Sequence, residues 1–241
     1  MGEAAQHRFD SFSEKVLQRF DTFKSLACLP LAYVARWSDA RYLIEGDVAH
    51  WLAVFGAGSG DDVALERIEV VTGAASSSEG GGGRGRGVPG LHRLLYAFPE
   101  FRGLYYHRLV GGNALGALAA RFLGVFFKPA PGLTLLTKEI GPGLFLAHGI
   151  ATVLAAESIG SNCYIHQGVT VGWDYKSERK PIIGDGVFIG AGAVILGAVT
   201  IGDYARIGAN SVVLCDVPPW STAVGAPARV LPLAGAVTTT P

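Results

Sequence analysis

The sequence predicts a parallel β-helix preceded by an α-helical N-terminal domain. Aliphatic side chains recur at every sixth position through the second half of the 241-residue chain. Glycine is abundant, at 34 residues, and apolar residues in the first half follow helical spacing. A period of six fits neither the 3.6 of an α-helix nor the 2.0 of a plain strand. It is typical of a β-helix, in which short strands stack coil on coil.

The first half of the chain has the pattern of helices interrupted by one flexible segment. Apolar residues between 12 and 23 lie at spacings of three and four, which places them on one helical face. Residues 73–87 carry no apolar side chain larger than alanine, which is typical of a flexible linker. Helical spacing resumes over 91–127, and two prolines with a glycine in 128–132 end it. We therefore expect a helical domain at 1–130, a β-helix at 131–231 and a tail at 232–241.

The six-residue series defines the coils of the β-helix. Its members are Ile159, Ile165, Val171, Ile183, Ile189, Ile195, Ile201, Ile207 and Val213. Ser177 interrupts the series inside the polar segment 173–181, which we expect to protrude as a loop. The aliphatic side chains should point into a shared core, and the glycines that follow many of them suit tight turns. A β-sandwich would show period two and irregular turns instead.

Composition excludes several classes of function. Lys and Arg number 20 and so do Asp and Glu, so the chain lacks the excess cations of a nucleic-acid-binding protein. Its three cysteines lie far apart without a CxxC pair, which argues against a zinc module or a disulfide framework and fits a cytoplasmic protein. No His, Cys or Asp cluster has metal-ligand spacing, so no metal is expected. The apolar stretch 114–127 is too short to span a bilayer.

Several motifs in the second half together resemble one family. They are IGPGLFLAHG at 140–149, HQGVTVG at 166–172, IGAGAVILGAVTIGDYARIGANSVVL at 189–214 and DVPPWSTAVGAPARV at 216–230. These segments are similar to the serine acetyltransferase family of hexapeptide-repeat acyltransferases, and more closely to its relatives in capsule and exopolysaccharide biosynthesis. The resemblance implies a left-handed β-helix of triangular section. It also implies a homotrimer or a dimer of trimers, with acetyl-CoA as the donor and active sites between neighbouring β-helices.

The resemblance places His148 at the catalytic position, where a histidine activates the acceptor hydroxyl for direct attack on the thioester. An imidazole suits this role because its unperturbed pKa lies near 6.5. His166 follows 18 residues later, about one coil on, and is a second candidate for the same cleft. Gln167 matches the family pattern and would line the acceptor site. Arg179 lies in the protruding loop and could bind a carboxylate of the acceptor.

The same resemblance implies the residues that bind acetyl-CoA. They are Gly172, Trp173, Ala191, Arg206, Ala209 and Arg229. Small residues would let the pantetheine arm lie against the coil edges, and the two arginines would pair with the nucleotide phosphates.

The chain also departs from the family at positions that handle serine. Leu133 stands where the family has the aspartate that orients the catalytic histidine, Ala147 replaces an aspartate that holds serine, and Lys180 replaces a loop histidine. The chain also lacks the terminal isoleucine that docks into cysteine synthase, so that partner is not expected. The sequence therefore predicts an acetyl-CoA-dependent O-acetyltransferase acting on a sugar or small-molecule hydroxyl. Serine O-acetyltransferase is the alternative within enzymes, and a non-catalytic trimeric scaffold is the alternative of another class.

Overall fold

The computed structural model describes residues 32, 34, 35, 38–56, 90–174 and 179–232. In these residues the helices precede the strands along the chain. The helices are α1 (Arg41–Gly56), α2 (Leu91–Ala97), α3 (Pro99–Gly112) and α4 (Ala114–Phe126). The predicted helix over 12–23, the linker at 73–87 and tail residues 233–241 lie outside the described residues. None of the described helices combines the length and apolar content needed to cross a membrane.

The strands form three sheets, parallel except for the last strand of one of them, that make the three faces of a prism. Face A contains β1 (Thr134–Leu135), β4 (Val153–Leu154), β7 (Thr170–Gly172), β10 (Val194–Leu196) and β13 (Val212–Val213). Face B contains β2 (Glu139–Ile140), β5 (Ser158–Ile159), β8 (Ile182–Ile183) and β11 (Thr200–Ile201). Face C contains β3 (Phe145–Ala147), β6 (Tyr164–His166), β9 (Phe188–Ile189), β12 (Arg206–Ile207), β14 (Ser221–Gly225) and β15 (Ala228–Pro232).

The chain visits faces A, B and C in turn, so each circuit is one coil of a β-helix. We name the corners between faces the A–B, B–C and C–A edges. The predicted parallel β-helix is confirmed, and its hexapeptide repeats are those of the left-handed form. Every member of the predicted six-residue series is buried, with at most 2% of its surface exposed. Val171 stacks between Leu154 and Ile195, and Ile195 pairs onward with Val213, so the core is a set of aliphatic columns.

Coil length varies although the core register is kept. Ile183 pairs with Ile201, 18 residues later, which is the expected three hexapeptides. Across the 173–181 segment the spacing rises to 24, from Val171 to Ile195. The first coil is longer by one residue, because Leu146 pairs with Ile165 at a spacing of 19. Extra residues are therefore accommodated at the edges of the prism, outside the core.

The helices close the N-terminal end of the β-helix through a buried ion pair. The carboxylate of Asp47 on α1 accepts hydrogen bonds from Nε and Nη2 of Arg108 on α3, at 2.9 and 3.1 Å. It also accepts the backbone N–H groups of Gly143 and Leu144, at 2.8 and 3.2 Å. Arg108 in turn donates to the carbonyls of Ile140 and Gly141. Both ionic side chains are only 2% exposed, so this network fixes α1 and α3 on the first coil.

The C-terminal end is closed differently, by a reversal of strand direction. Strand β14 ends at Gly225, whose φ of 102° is in a region that L-residues with side chains rarely adopt. Strand β15 then runs back antiparallel to β14, with Ala223 opposite Val230. Face C thus ends in a hairpin at the outermost coil.

Candidate active site

His148 lies at a widened corner of the C–A edge. Strands β3 and β4 begin eight residues apart, at Phe145 and Val153, whereas β6 and β7 begin six apart, at Tyr164 and Thr170. The two additional residues form a tight turn in which the Ile150 N–H donates to the His148 carbonyl. His148 has a positive φ of 54°, and its side chain is exposed. The turn thus presents the imidazole on the outside of the prism.

Side chains from the preceding coil and from α3 pack beside this corner. Gly149 is buried, and a Cβ atom built on it would lie 3.3 Å from Cγ of Glu100 and 3.5 Å from Cδ1 of Leu133. Leu133 also reaches Gly103 on α3, where a built Cβ would lie 2.8 Å from its Cδ2. Leu133, at the position where the family resemblance implies an aspartate, therefore joins α3 to the corner that carries His148.

His166 lies at the end of β6 on face C, next to the same edge. Because the first coil has 19 residues, His166 pairs with Ala147 and not with His148, so the predicted 18-residue alignment of the two histidines is wrong by one position. Its ring is half-buried between Tyr164 and Phe188, with centroid distances of 5.2 and 5.3 Å. Burial raises the pKa of Tyr164, which keeps its hydroxyl neutral.

The predicted acceptor and cofactor residues of the C–A edge form a column below His148. The backbone N–H of Gly168 donates to the Ile150 carbonyl at 2.9 Å, and that of Gly192 donates to the Gln167 carbonyl at 2.9 Å. The backbone N–H of Asn210 donates to the Ala191 carbonyl at 2.8 Å, and Asn210 directly follows Ala209, so the column continues to Ala209. Ala191 and Ala209 therefore lie one coil apart on this edge, and each carries only a methyl side chain.

The two predicted phosphate-binding arginines lie on strands of face C. Arg206 on β12 is exposed, and its guanidinium carbon lies 4.9 Å from the ring centroid of Phe188. Arg229 on β15 is exposed as well. Both cations therefore lie on the face that borders the column at the C–A edge.

The remaining predicted site residues lie on a different edge of the prism. Gly172 ends β7, and Trp173 follows it at the A–B edge with 40% of its surface exposed. The Lys180 Nζ lies 5.7 Å from the Trp173 ring centroid, a cation–π contact, and Arg179 beside it is exposed. Within one chain, face A separates these residues from His148.

Glu100 lies beside the corner that carries His148, and the sequence analysis did not identify it as a candidate site residue. It precedes His148 by 48 residues in the chain. Its only signal was a proline followed by an acid at the start of a helix, a pattern that usually reflects the helix dipole. No group of three or more His, Cys, Asp or Glu side chains in the described residues is placed to hold a metal ion.

Comparisons with known proteins agree on one family. Residues 180–215 match the model described as bacterial transferase hexapeptide (six repeats). The chain is 40% identical over 147 residues to the serine acetyltransferase of Helicobacter pylori, covering 59% of this chain and 81% of that protein. It is 37% identical over 151 residues to the serine acetyltransferase of Synechococcus elongatus, of which the match covers 59%.

A solved structure gives the same result. The Neisseria gonorrhoeae serine acetyltransferase in complex with serine is similar to this chain with a TM-score of 0.50 and 29% identity. The match covers 83% of this chain and 73% of that one, so it includes helices as well as the β-helix. With its three-faced hexapeptide-repeat β-helix, the chain belongs to the serine acetyltransferase family of hexapeptide-repeat acyltransferases.

Proposed function

We propose that this acyltransferase moves the acetyl group of acetyl-CoA to the hydroxyl of a small acceptor, with His148 as general base. The observation that carries the proposal is the exposed imidazole of His148 at the C–A edge, on the same edge as Gln167, Ala191 and Ala209. The acceptor oxygen attacks the thioester carbonyl carbon while the imidazole takes the hydroxyl proton. The C–S bond then breaks, CoA leaves as its thiolate and takes up a proton, and the acceptor ester remains. No acyl-enzyme is needed.

The similarity to serine acetyltransferases favours L-serine as the acceptor. The curated relatives are serine acetyltransferases, and the solved relative from N. gonorrhoeae is a complex with serine. These similarities support the serine alternative over the main prediction from the sequence, which was a sugar or small-molecule hydroxyl acceptor. Arg179, an exposed cation among the described residues of the loop, would bind the serine carboxylate.

A neutral hydroxyl acceptor is the second candidate, and one specific observation favours it. Serine carries an ammonium group, which needs an acceptor of hydrogen bonds or a negative charge. The residue that precedes His148 is Ala147, buried and apolar, and the corner above is filled by Leu133. A sugar hydroxyl would not need the carboxylates that these residues replace.

A homotrimer would complete the site. Faces B and C meet at the B–C edge, where Tyr204 and Trp220 stack 4.3 Å apart and remain 48% and 59% exposed. If face C of one copy packs on face B of the next around that edge, the C–A edge of one meets the A–B edge of the other. His148 of one copy would then lie beside Trp173 and Lys180 of its neighbour.

The test measures CoA release from acetyl-CoA with L-serine and, separately, with a panel of neutral sugars. We expect turnover with serine, and turnover only with sugars would establish the second candidate. His148→Ala should lower kcat by about 10²–10⁴-fold with little change in CoA binding. His166→Ala is the control and should lower kcat less than His148→Ala does. His166 is half-buried and pairs with Ala147 on face C, not with His148.

Two outcomes would contradict this mechanism. Equal losses in the two histidine variants would mean that both rings take part in the proton transfer. No turnover, together with no thermal stabilisation by CoA at saturating concentrations, would instead favour the non-catalytic scaffold.

A further inference from the structure

The corner that carries His148 lacks the carboxylates that the family resemblance implies there, and a general base needs a partner that orients its ring. An imidazole acts as a base through one ring nitrogen, and the hydrogen bond of the other nitrogen sets its tautomer and orientation. The side chains of Leu133 and Ala147 are hydrocarbons and cannot accept that bond. The inference below rests on the proposed function, because it concerns how His148 is held.

Leu133 has a structural role that brings another element to the corner. Its two methyl carbons approach Gly103 of α3 on one side and Gly149 on the other. Only residues without a Cβ leave room for this contact, since a Cβ on Gly103 would lie 2.8 Å from Leu133. Leu133 thus packs between α3 and the C–A edge, next to the turn that carries His148.

Helix α3 carries one carboxylate to this position. Glu100 lies in the first turn of α3 and is half-buried, and its Cγ is 3.3 Å and its Cβ 3.7 Å from the place of a Gly149 Cβ. The carboxylate is one bond beyond that Cγ, and His148 is the residue next to Gly149. Among the described residues, neither the Glu100 carboxylate nor the His148 ring has a hydrogen-bond partner. Each is therefore available to the other.

The helix that carries Glu100 is held rigidly. Arg108, two turns further along α3, is fixed by the buried Asp47 and by two carbonyls of the first coil. At 1.5 Å per residue, the eight residues between Glu100 and Arg108 span about 12 Å. The ion pair therefore anchors the C-terminal half of α3 on the first coil, and Glu100 at the other end of the helix lies beside Gly149.

We infer that Glu100 is a positioning residue for His148, whose carboxylate accepts the N–H of the ring nitrogen that does not take the acceptor proton. The pair forms when the imidazole turns toward α3. The negative charge also stabilises the imidazolium that exists while the proton is held. Glu100, on a helix, thus does what the family resemblance assigns to an aspartate at the position of Leu133.

The experiment compares Glu100→Gln with wild type in the acetyl-transfer assay, using the acceptor that supports turnover. The amide keeps the shape of the side chain but removes its charge. We expect kcat to fall about 10–100-fold, the range seen when a metal-bound histidine loses the carboxylate that orients it, with the KM for acetyl-CoA and the thermal midpoint unchanged. Glu100→Asp should retain more activity, because its carboxylate carbon would occupy the position of the present Cγ.

A double variant separates positioning from a purely structural role. If Glu100 acts through His148, Glu100→Gln should add almost nothing to the loss already caused by His148→Ala. Asp39→Asn is the matched control: it is an exposed carboxylate next to Ser38, which contacts Gly112 at the opposite end of α3. It should leave kcat unchanged.

Three outcomes would overturn the inference. They are full activity in Glu100→Gln, a double variant whose loss of kcat is the product of the losses in the two single variants, or a Glu100→Gln enzyme with a raised KM for acetyl-CoA and unchanged kcat. An inactive wild type would instead refute the proposed function itself. The two failures are therefore distinguishable.

Discussion

Asp47→Leu should destabilise the protein strongly, because it leaves the Arg108 guanidinium buried without a counter-charge. The Asp47 carboxylate accepts four hydrogen bonds, two from Arg108 and two from the backbone of Gly143 and Leu144. With both side chains 2% exposed, water cannot replace the lost partner. Removing one member of a buried ion pair costs about 3–5 kcal/mol. At about 2–4 °C per kcal/mol for a chain of this size, the thermal midpoint should fall by roughly 6–20 °C.

The assay is urea unfolding followed by tryptophan fluorescence, supported by a thermal scan. Trp51 is a suitable reporter, because its indole N–H donates to the Leu144 carbonyl at 2.8 Å beside the same network. The matched control is Glu45→Gln on the same helix, which breaks the exposed pair with Arg41. The side chains of Glu45 and Arg41 are 45% and 34% exposed, so Glu45→Gln should lower the free energy of unfolding by no more than about 1 kcal/mol.

The double variant Asp47→Leu/Arg108→Met tests the cause. It removes both charges, so it should be destabilised less than the sum of the two single variants. Additive losses would show that packing and not the orphaned charge sets the cost. A loss below about 1 kcal/mol in Asp47→Leu would refute the argument that this pair holds α3 in place.

Two further predictions follow from buried and exposed side chains. Burial raises the pKa of the Cys163 thiol to about 12, so only ~10⁻⁴ of it is thiolate at pH 8. In a Cys28→Ser background, a disulfide reagent should therefore titrate only the exposed Cys215 in native protein and both thiols in urea; rapid labelling of two native thiols would contradict this. The stacked pair at the B–C edge should stabilise the proposed trimer. Tyr204→Ala combined with Trp220→Ala should raise the concentration at which the assembly dissociates in light scattering, and an unchanged mass on dilution would argue against that interface.

The β-helix was predictable because its core depends only on which residues point inward. A buried aliphatic at every sixth position was enough to identify the coils, and positions such as Ile189 and Ile207 are fully buried as expected. The edges were not predictable in the same way. The two additional residues between β3 and β4 lie outside the core columns, so the six-residue period is interrupted there. That interruption does not by itself predict a turn that exposes His148.

The site depends on contacts between distant parts of the sequence. Compared with the family pattern, Leu133 indicates only that an orienting aspartate is missing. Its packing between Gly103 and Gly149 shows that the leucine holds α3 against this corner. Asp47 and Arg108 are separated by 61 residues, and nothing local to either predicts the pair. Helical spacing predicted helices over 91–127, but it could not predict which end of α3 would face the β-helix.

The hairpin at the last coil bears on self-association. A solenoid of parallel strands exposes unpaired N–H and C=O groups at its final rung, and these can recruit the first rung of another molecule into an endless fibre. In face C that rung is occupied by β15, which runs against the direction of every other strand. A parallel coil from a second molecule would meet a ladder of the wrong polarity there, while its own first rung lies under α1 and α3. The reversal at Gly225 therefore sets the length of the β-helix and protects this face against end-to-end polymerisation.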